Sequence, residues 1–164
     1  MSYGRFQVSV QWENREESPE SCARRLARML KGLATVHPDL RHWYMDARRQ
    51  GPSTIPEKSL PSSVADLTAV FEQATRRKSS GALWPEVGYH LMAWNGIDDP
   101  RCVGFNAWPG NYADPRQLPN DVAVEFRPRE PGNADLMTTE MLRRILISAV
   151  EAWEPACGSD ARNG

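Results

Sequence analysis

Phe6, Val8, Val10 and Trp12 alternate with Gln7, Ser9 and Gln11, a strict period of two that predicts a strand with one buried face. Ser18-Pro19-Glu20 then reads as an N-cap, a proline at the first helical position and a first-turn acid. Cys22, Leu26, Met29, Leu30 and Leu33 recur at helical spacing, so a first helix is predicted to about Val36, with basic residues mostly on its other face. His37 to Gln50 holds a short helical turn anchored by Leu40 and Trp43. From Gln50 to Ser63 the chain is rich in Pro, Ser and Gly and reads as a long connection within one domain. Val64, Leu67, Val70, Phe71 and Ala74 predict a second amphipathic helix, capped by Ser62 or Ser63 and ending near the run Arg76 to Gly81.

The centre is strand-like. Tyr89, Leu91 and Ala93 alternate with His90, Met92 and Trp94, and Val103, Phe105 and Ala107 with Asn106 and Trp108. After a proline-rich loop, Val122, Val124 and Phe126 alternate with Asp121, Ala123, Glu125 and Arg127. A final helix carries Met141, Leu142, Ile145, Leu146, Ala149, Val150 and Trp153, two adjacent apolar columns that predict deep packing. The order β-α-α-β-β-β-α indicates an α+β fold, an antiparallel sheet of about four strands with helices packed on one face. Residues 1–154 are expected to form one domain and 155–164 a flexible tail.

One phrase occurs twice: Ala-Trp-Asn-Gly from Ala93 and Ala-Trp-Pro-Gly from Ala107, each followed by Asp-Pro-Arg. If the two central strands form a hairpin, about six residues at ~3.4 Å rise put the copies about 20 Å apart. Shared turn chemistry, with Gly supplying positive φ and Asp-Pro opening a turn, then explains the repeat better than a duplicated pocket. Strand parity places Trp94 and Trp108 on one face with His90, Met92 and Asn106, opposite the core face of Leu91 and Phe105. An aromatic and Met-bearing face left uncovered by helices is a candidate protein interface.

Composition narrows the function classes. Twenty Lys and Arg against 21 Asp and Glu give a net charge of −1, without the basic surplus on which a dedicated nucleic-acid binder relies. No apolar run approaches the ~20 residues of a membrane span, and the N-terminus lacks a signal peptide's continuous apolar segment, so the expected address is the cytoplasm. Three cysteines without a CxxC pair indicate neither a disulfide framework nor a thiolate zinc site, and Cys22 reads as a buried structural thiol.

Catalytic motifs of the P-loop, GxSxG and HExxH types are absent. His37 and His42 stand five apart, a spacing that a helix would splay. A metal-dependent hydrolase could draw on Asp98, Asp99, Asp114 and Glu125, but the place of its lysine is taken by Arg127, which cannot be deprotonated. No cofactor and no metal site is assigned.

The stretches Gln11–Tyr44, Gly88–Gly96 and Gly104–Tyr112 resemble the immunity protein 52 family of bacterial polymorphic toxin systems. The shared pattern is a strand ending in Trp, an acidic loop, a helix opening around Glu-Ser-Cys-Ala, a Trp after that helix, and two later aromatic strands. The resemblance runs over most of Phe6 to Trp153. It implies a non-enzymatic antidote that binds a cognate toxin in the cytoplasm, the toxin being a DNase of restriction-endonuclease fold such as type VI secretion delivers. It implies no direct contact with nucleic acid or membrane. A generic adaptor or ligand-binding domain is the other non-catalytic reading. Acidic projections able to enter a basic cleft are Asp98 and Asp99 on the hairpin tip, Asp114 with Tyr112 on the next loop, and the Glu13–Glu20 cluster. With Trp94 and Trp108 as aromatic anchors, the first two of these groups make up the candidate partner-binding set.

Overall fold

In a computed structural model, residues 6–45, 49–50, 53–54, 58–113 and 119–154 are described. The N-terminal alternation forms β1 (Phe6–Trp12) and leads through an acidic loop into α1 (Pro19–Val36). The Ser18 side chain accepts from the Ser21 amide and Pro19 opens the first turn, as the cap residues require. A single 3-10 turn follows (Pro38–Leu40), with Leu40 and Trp43 buried beneath it. The remaining elements are β2 (Tyr44–Met45), β3 (Arg49–Gln50), β4 (Ser53–Thr54), β5 (Lys58–Ser59), α2 (Val64–Gln73), β6 (Leu91–Trp94), β7 (Val103–Trp108), β8 (Asn120–Phe126), another 3-10 turn (Pro131–Asn133) and α3 (Thr139–Trp153).

The sheet is antiparallel with order β1-β8-β7-β6-β2-β5, and β3 pairs separately with β4. It has six strands rather than about four. The added strands β2 and β5 are two residues each, too short to show any period. Val10, Trp12, Leu91, Ala93, Phe105, Val122, Val124 and Phe126 turn inward and share one core with Leu26, Met29 and Leu33 of α1, Leu67 and Phe71 of α2, and Ile145 and Trp153 of α3. Helices therefore cover one face, as parity indicates.

Two helix expectations need correction. The second helix stops at Gln73, short of the Arg76–Gly81 run. Beyond it the backbone finds extended partners: the Arg76 amide donates to the Gly88 carbonyl and the His90 amide to the Ala74 carbonyl, while Thr75 bridges Tyr89 and Arg77 bridges Leu83. The polar run thus lies in a β-like excursion over 74–90. In α3 only one apolar column is buried, through Ile145, Ala149, Ala152 and Trp153. Leu146, Ile147 and Val150 are 40%, 39% and 41% exposed. Two adjacent columns span more helix surface than α1 and the sheet can cover. The expected tail lies outside the described residues.

The acidic loop after β1 ties the elements together. Glu17 is buried, its carboxylate 2.6 Å from Arg25 Nε and 3.3 Å from Arg15 Nη2. The same guanidiniums donate to the last carbonyls of α3: Arg15 to Trp153 at 2.9 Å and Arg25 to Ala152 at 3.2 Å. Four carbonyls at a helix C-terminus lack intrahelical partners, and cations there also complement the helix dipole. Trp153, fully buried, stacks on Trp12 with centroids 5.2 Å apart. Burial raises the Cys22 thiol well above its ordinary value, with the nearby Glu17 charge adding to the effect, which suits a structural role.

Glu17→Ala removes the buried carboxylate that two partly exposed guanidiniums share, leaving them the α3 carbonyls and Glu154, so the unfolding free energy at neutral pH should fall by about 2 kcal/mol. Arg24→Ala removes only the exposed pair with Glu20 and should lose less than about 1 kcal/mol. Urea denaturation of both variants checks the contrast.

Candidate partner-binding face

The uncovered face of the sheet is built by the alternate residues of the same strands. In the β6–β7 ladder Leu91 faces Ala107, Met92 faces Asn106, Ala93 faces Phe105 and Trp94 faces Gly104. Trp94 and Trp108 therefore lie at opposite ends of one hairpin on one face, with exposed Met92 between them. Gly96 and Gly110 both adopt positive φ, 72° and 79°, so the repeated phrase does share its turn chemistry. Asn95 Oδ1 accepts from the Ile97 amide and Asn111 Oδ1 from the Ala113 amide, a like side-chain turn that begins before the glycine in the first copy and after it in the second. The second Asp-Pro-Arg, with Asp114, lies outside the described residues.

At the tip end, Trp94 faces Gly104 on one side and Tyr44 of β2 on the other. Asp98 and Asp99 are exposed beyond it, and Asp99 Oδ1 takes a hydrogen bond from Arg127 Nε at 2.6 Å. Arg101, closing the turn, binds Asp39 at 2.7 Å and Asp135 through both terminal nitrogens at 2.8 and 3.0 Å. It fastens the hairpin to the exit of α1 and the approach to α3. The arginine holds the Asp135 carboxyl far below the usual carboxylate range.

The far end is more densely built. His90 stacks on Trp108 with centroids 3.5 Å apart, and Arg76 Cζ lies 4.9 Å from the Trp108 ring centroid. Burial holds the His90 imidazole below its ordinary value against a hydrogen bond with Asn106, and Arg76 adds to the lowering. Asn106 in turn donates to Glu125 at 2.8 Å. Trp108 pairs across the ladder with Asp121, and the two share with Arg76 a cavity of about 190 Å³. Asp121 Oδ1 is buried there with no hydrogen-bond partner. Desolvation pushes this carboxyl up to about 6. Tyr112, exposed, is held nearby through its amide bond to the Glu86 carbonyl.

Of the expected partner-binding residues, the structure brings Trp108 and Tyr112 to one end and Trp94, Asp98 and Asp99 to the other. The Glu13–Glu20 cluster is no single acidic projection, because Glu17 is buried between arginines and Glu20 pairs with Arg24. Asp121, Arg76 and exposed Trp84 were not singled out from the sequence. The signal for Asp121 was available, since period two sets it on the Trp108 face. Arg76 and Trp84 depend on the excursion over 74–90, which has no regular period. Asp99 and Glu125, the acids of the hydrolase reading, are engaged by Arg127 and Asn106. Among the described residues no three His, Cys, Asp or Glu side chains are placed to hold a metal ion, and no helix is long and apolar enough to cross a membrane.

The model of the family described as immunity protein 52 matches residues 5–162, a span that includes all three helices and the whole sheet. The chain belongs to the immunity protein 52 family. Comparison with curated proteins gave no match. Membership in immunity protein 52 supports the role of an immunity protein in general, with a toxin as its partner and a non-catalytic way of acting.

The unpaired carboxylate has a consequence for this immunity protein 52 member by itself. A carboxyl raised on folding favours the fold below its unfolded value near 4 and loses that contribution as pH rises through about 6. Asp121→Asn should therefore raise the urea midpoint at pH 7.5 and leave it nearly unchanged at pH 4. The gain should be about 1 kcal/mol, since a two-unit shift is discounted for a half-exposed group.

Proposed function

We propose that this chain neutralises a nuclease toxin in the cytoplasm by direct binding, and that the open sheet face centred on Trp108 is the surface that does so. The observation that carries this reading is Asp121, a carboxylate with one buried, unpartnered oxygen in a cavity about the size of one side chain, beside the Trp108 ring. A native fold rarely leaves a buried acceptor unmatched unless something else supplies the donor. A nuclease must hold phosphates in a basic cleft, so its surface carries the lysines and arginines that fit such a carboxylate. An inserted ammonium or guanidinium would gain an ion pair with Asp121 at the edge of the Trp108 ring.

The exposed apolar groups around this point, Met92, Trp84 and Tyr112, supply the kind of surface that slows release, while Asp98 and Asp99 at the hairpin tip add negative charge that speeds encounter. The resemblance to antidotes of polymorphic toxins supports a toxin of restriction-endonuclease fold, of the kind delivered by type VI secretion. Blocking such an enzyme needs no chemistry from the antidote.

Co-expression with the cognate toxin should restore growth and give a stable complex in pull-down. Trp108→Ala and Asp121→Asn should each weaken that complex at least about tenfold, the range of a buried interface anchor. Charge reversal at Asp98 and Asp99 should mainly slow association, with an effect that fades at high salt. Unchanged affinity in the Trp108 and Asp121 variants would move the interface elsewhere. DNA cleavage by the purified chain that EDTA abolishes would overturn the non-catalytic reading.

A further inference from the structure

A second concave site lies on the helical side of the sheet, between α1, the turn that follows it, and the chain running from β5 to α2. Its volume is about 660 Å³, within the range of small-molecule sites. Arg28 and Lys31 line it from α1, and Arg41 and His42 from the residues after the 3-10 turn. Ser59 and Ser62 add hydroxyls from the third wall. Among the described residues that line it, none is acidic.

Several arginines elsewhere in the chain have a carboxylate partner. Arg15 and Arg25 meet Glu17, Arg101 meets Asp39 and Asp135, and Arg127 meets Asp99. In the cavity only Arg28 has an acid, Glu154 at 3.4 Å, and it is shared with Arg25. Lys31, Arg41 and His42 have no carboxylate within ion-pair distance among the described residues. Cations on a convex helix face are solvated and need no partner. Here exposed cations from two separate segments line one hollow, where a single anion could meet both sets.

The walls also narrow the anion's chemistry. The Trp43 indole N–H already donates to the Leu40 carbonyl, so this residue offers only an apolar surface, as do Leu30 and Leu60. Donors gathered around a hollow match the several charged oxygens of a phosphate better than the planar pair of a carboxylate. The space exceeds a bare phosphate and leaves room for an apolar portion of the ligand.

We propose that this cavity is a binding site for a phosphate-bearing anion, separate from the toxin-binding face. Titration of the intact protein with pyrophosphate, followed by amide NMR, should give saturable shifts at Lys31, Arg41 and His42. A Lys31→Ala/Arg41→Ala variant removes two exposed side chains and should keep its fold while weakening pyrophosphate at least about tenfold. Arg129→Ala, a basic residue that does not line the cavity, should leave binding unchanged. A hexaglutamate peptide serves as the carboxylate control. The proposal is overturned by shifts that do not saturate, by equal binding in the double variant, or by hexaglutamate binding more tightly than pyrophosphate. Each outcome is independent of any toxin.

Discussion

A buried carboxylate between two guanidiniums organises this molecule. Glu17 lies in the loop joining β1 to α1, and its partners Arg15 and Arg25 reach from that loop and from α1 to the open end of α3. Desolvating a carboxylate is unfavourable unless its charge and lone pairs are met, so the loop has essentially one acceptable conformation. That conformation places Trp12 against Trp153, which closes the core at the end where sheet and helices meet. It also sets the Glu17 carbonyl to accept from the Tyr89 hydroxyl at 3.1 Å. Tyr89 sits over Gly110, where an added Cβ would come within 2.7 Å of the ring. One ion cluster thereby fixes the start of the hairpin that carries the open face.

Asparagine side chains continue this ordering where backbone partners run out. Asn120, fully buried, donates to the carbonyls of Glu13 and Asn111 and accepts from the Asn111 amide. Asn95 does the same at the other end of the hairpin, bonding the carbonyls of Asp39 and Arg101 and the amides of Ile97 and Val103. Such residues substitute for a missing strand neighbour and let loops pass close to the sheet. Asp121, next to Asn120, contrasts with them, because its buried Oδ1 accepts no hydrogen bond.

Much of the fold was readable because burial imposes a period. β1, β7, β8 and α1 are each long enough to show it, and Ser18-Pro19 and Ser63 mark helix starts by local chemistry. The two-residue strands β2 and β5 were not readable, since their existence depends on the edge presented by β6. The excursion over 74–90 was missed for a related reason: its order comes from isolated bridges and single amide bonds. The candidate face was half legible. Parity placed Trp94 and Trp108 together, whereas the state of Asp121 depends on a cavity that only three-dimensional packing creates. Counting acids suggested a projection at Glu13–Glu20, but charge in sequence does not reveal which carboxylate is turned inward.

The strand order carries a consequence in time. Among the described residues β1 is the first strand, yet its ladder is with β8, and even its nearest pair, Trp12 with Asn120, is 108 positions apart. Neighbours β6, β7 and β8 close through short connections, so the hairpin and its outer face can assemble early, while the N-terminal strand must await nearly the whole chain. The Trp12–Trp153 stack belongs to this late step, since both ends of the sequence must be present. During synthesis, a chain made only as far as Phe126 has the strands but neither α3 nor the tryptophan that seals the core. Closure of the core is thus set by completion of the C-terminal helix, and the lag grows with the loop that β1 must close.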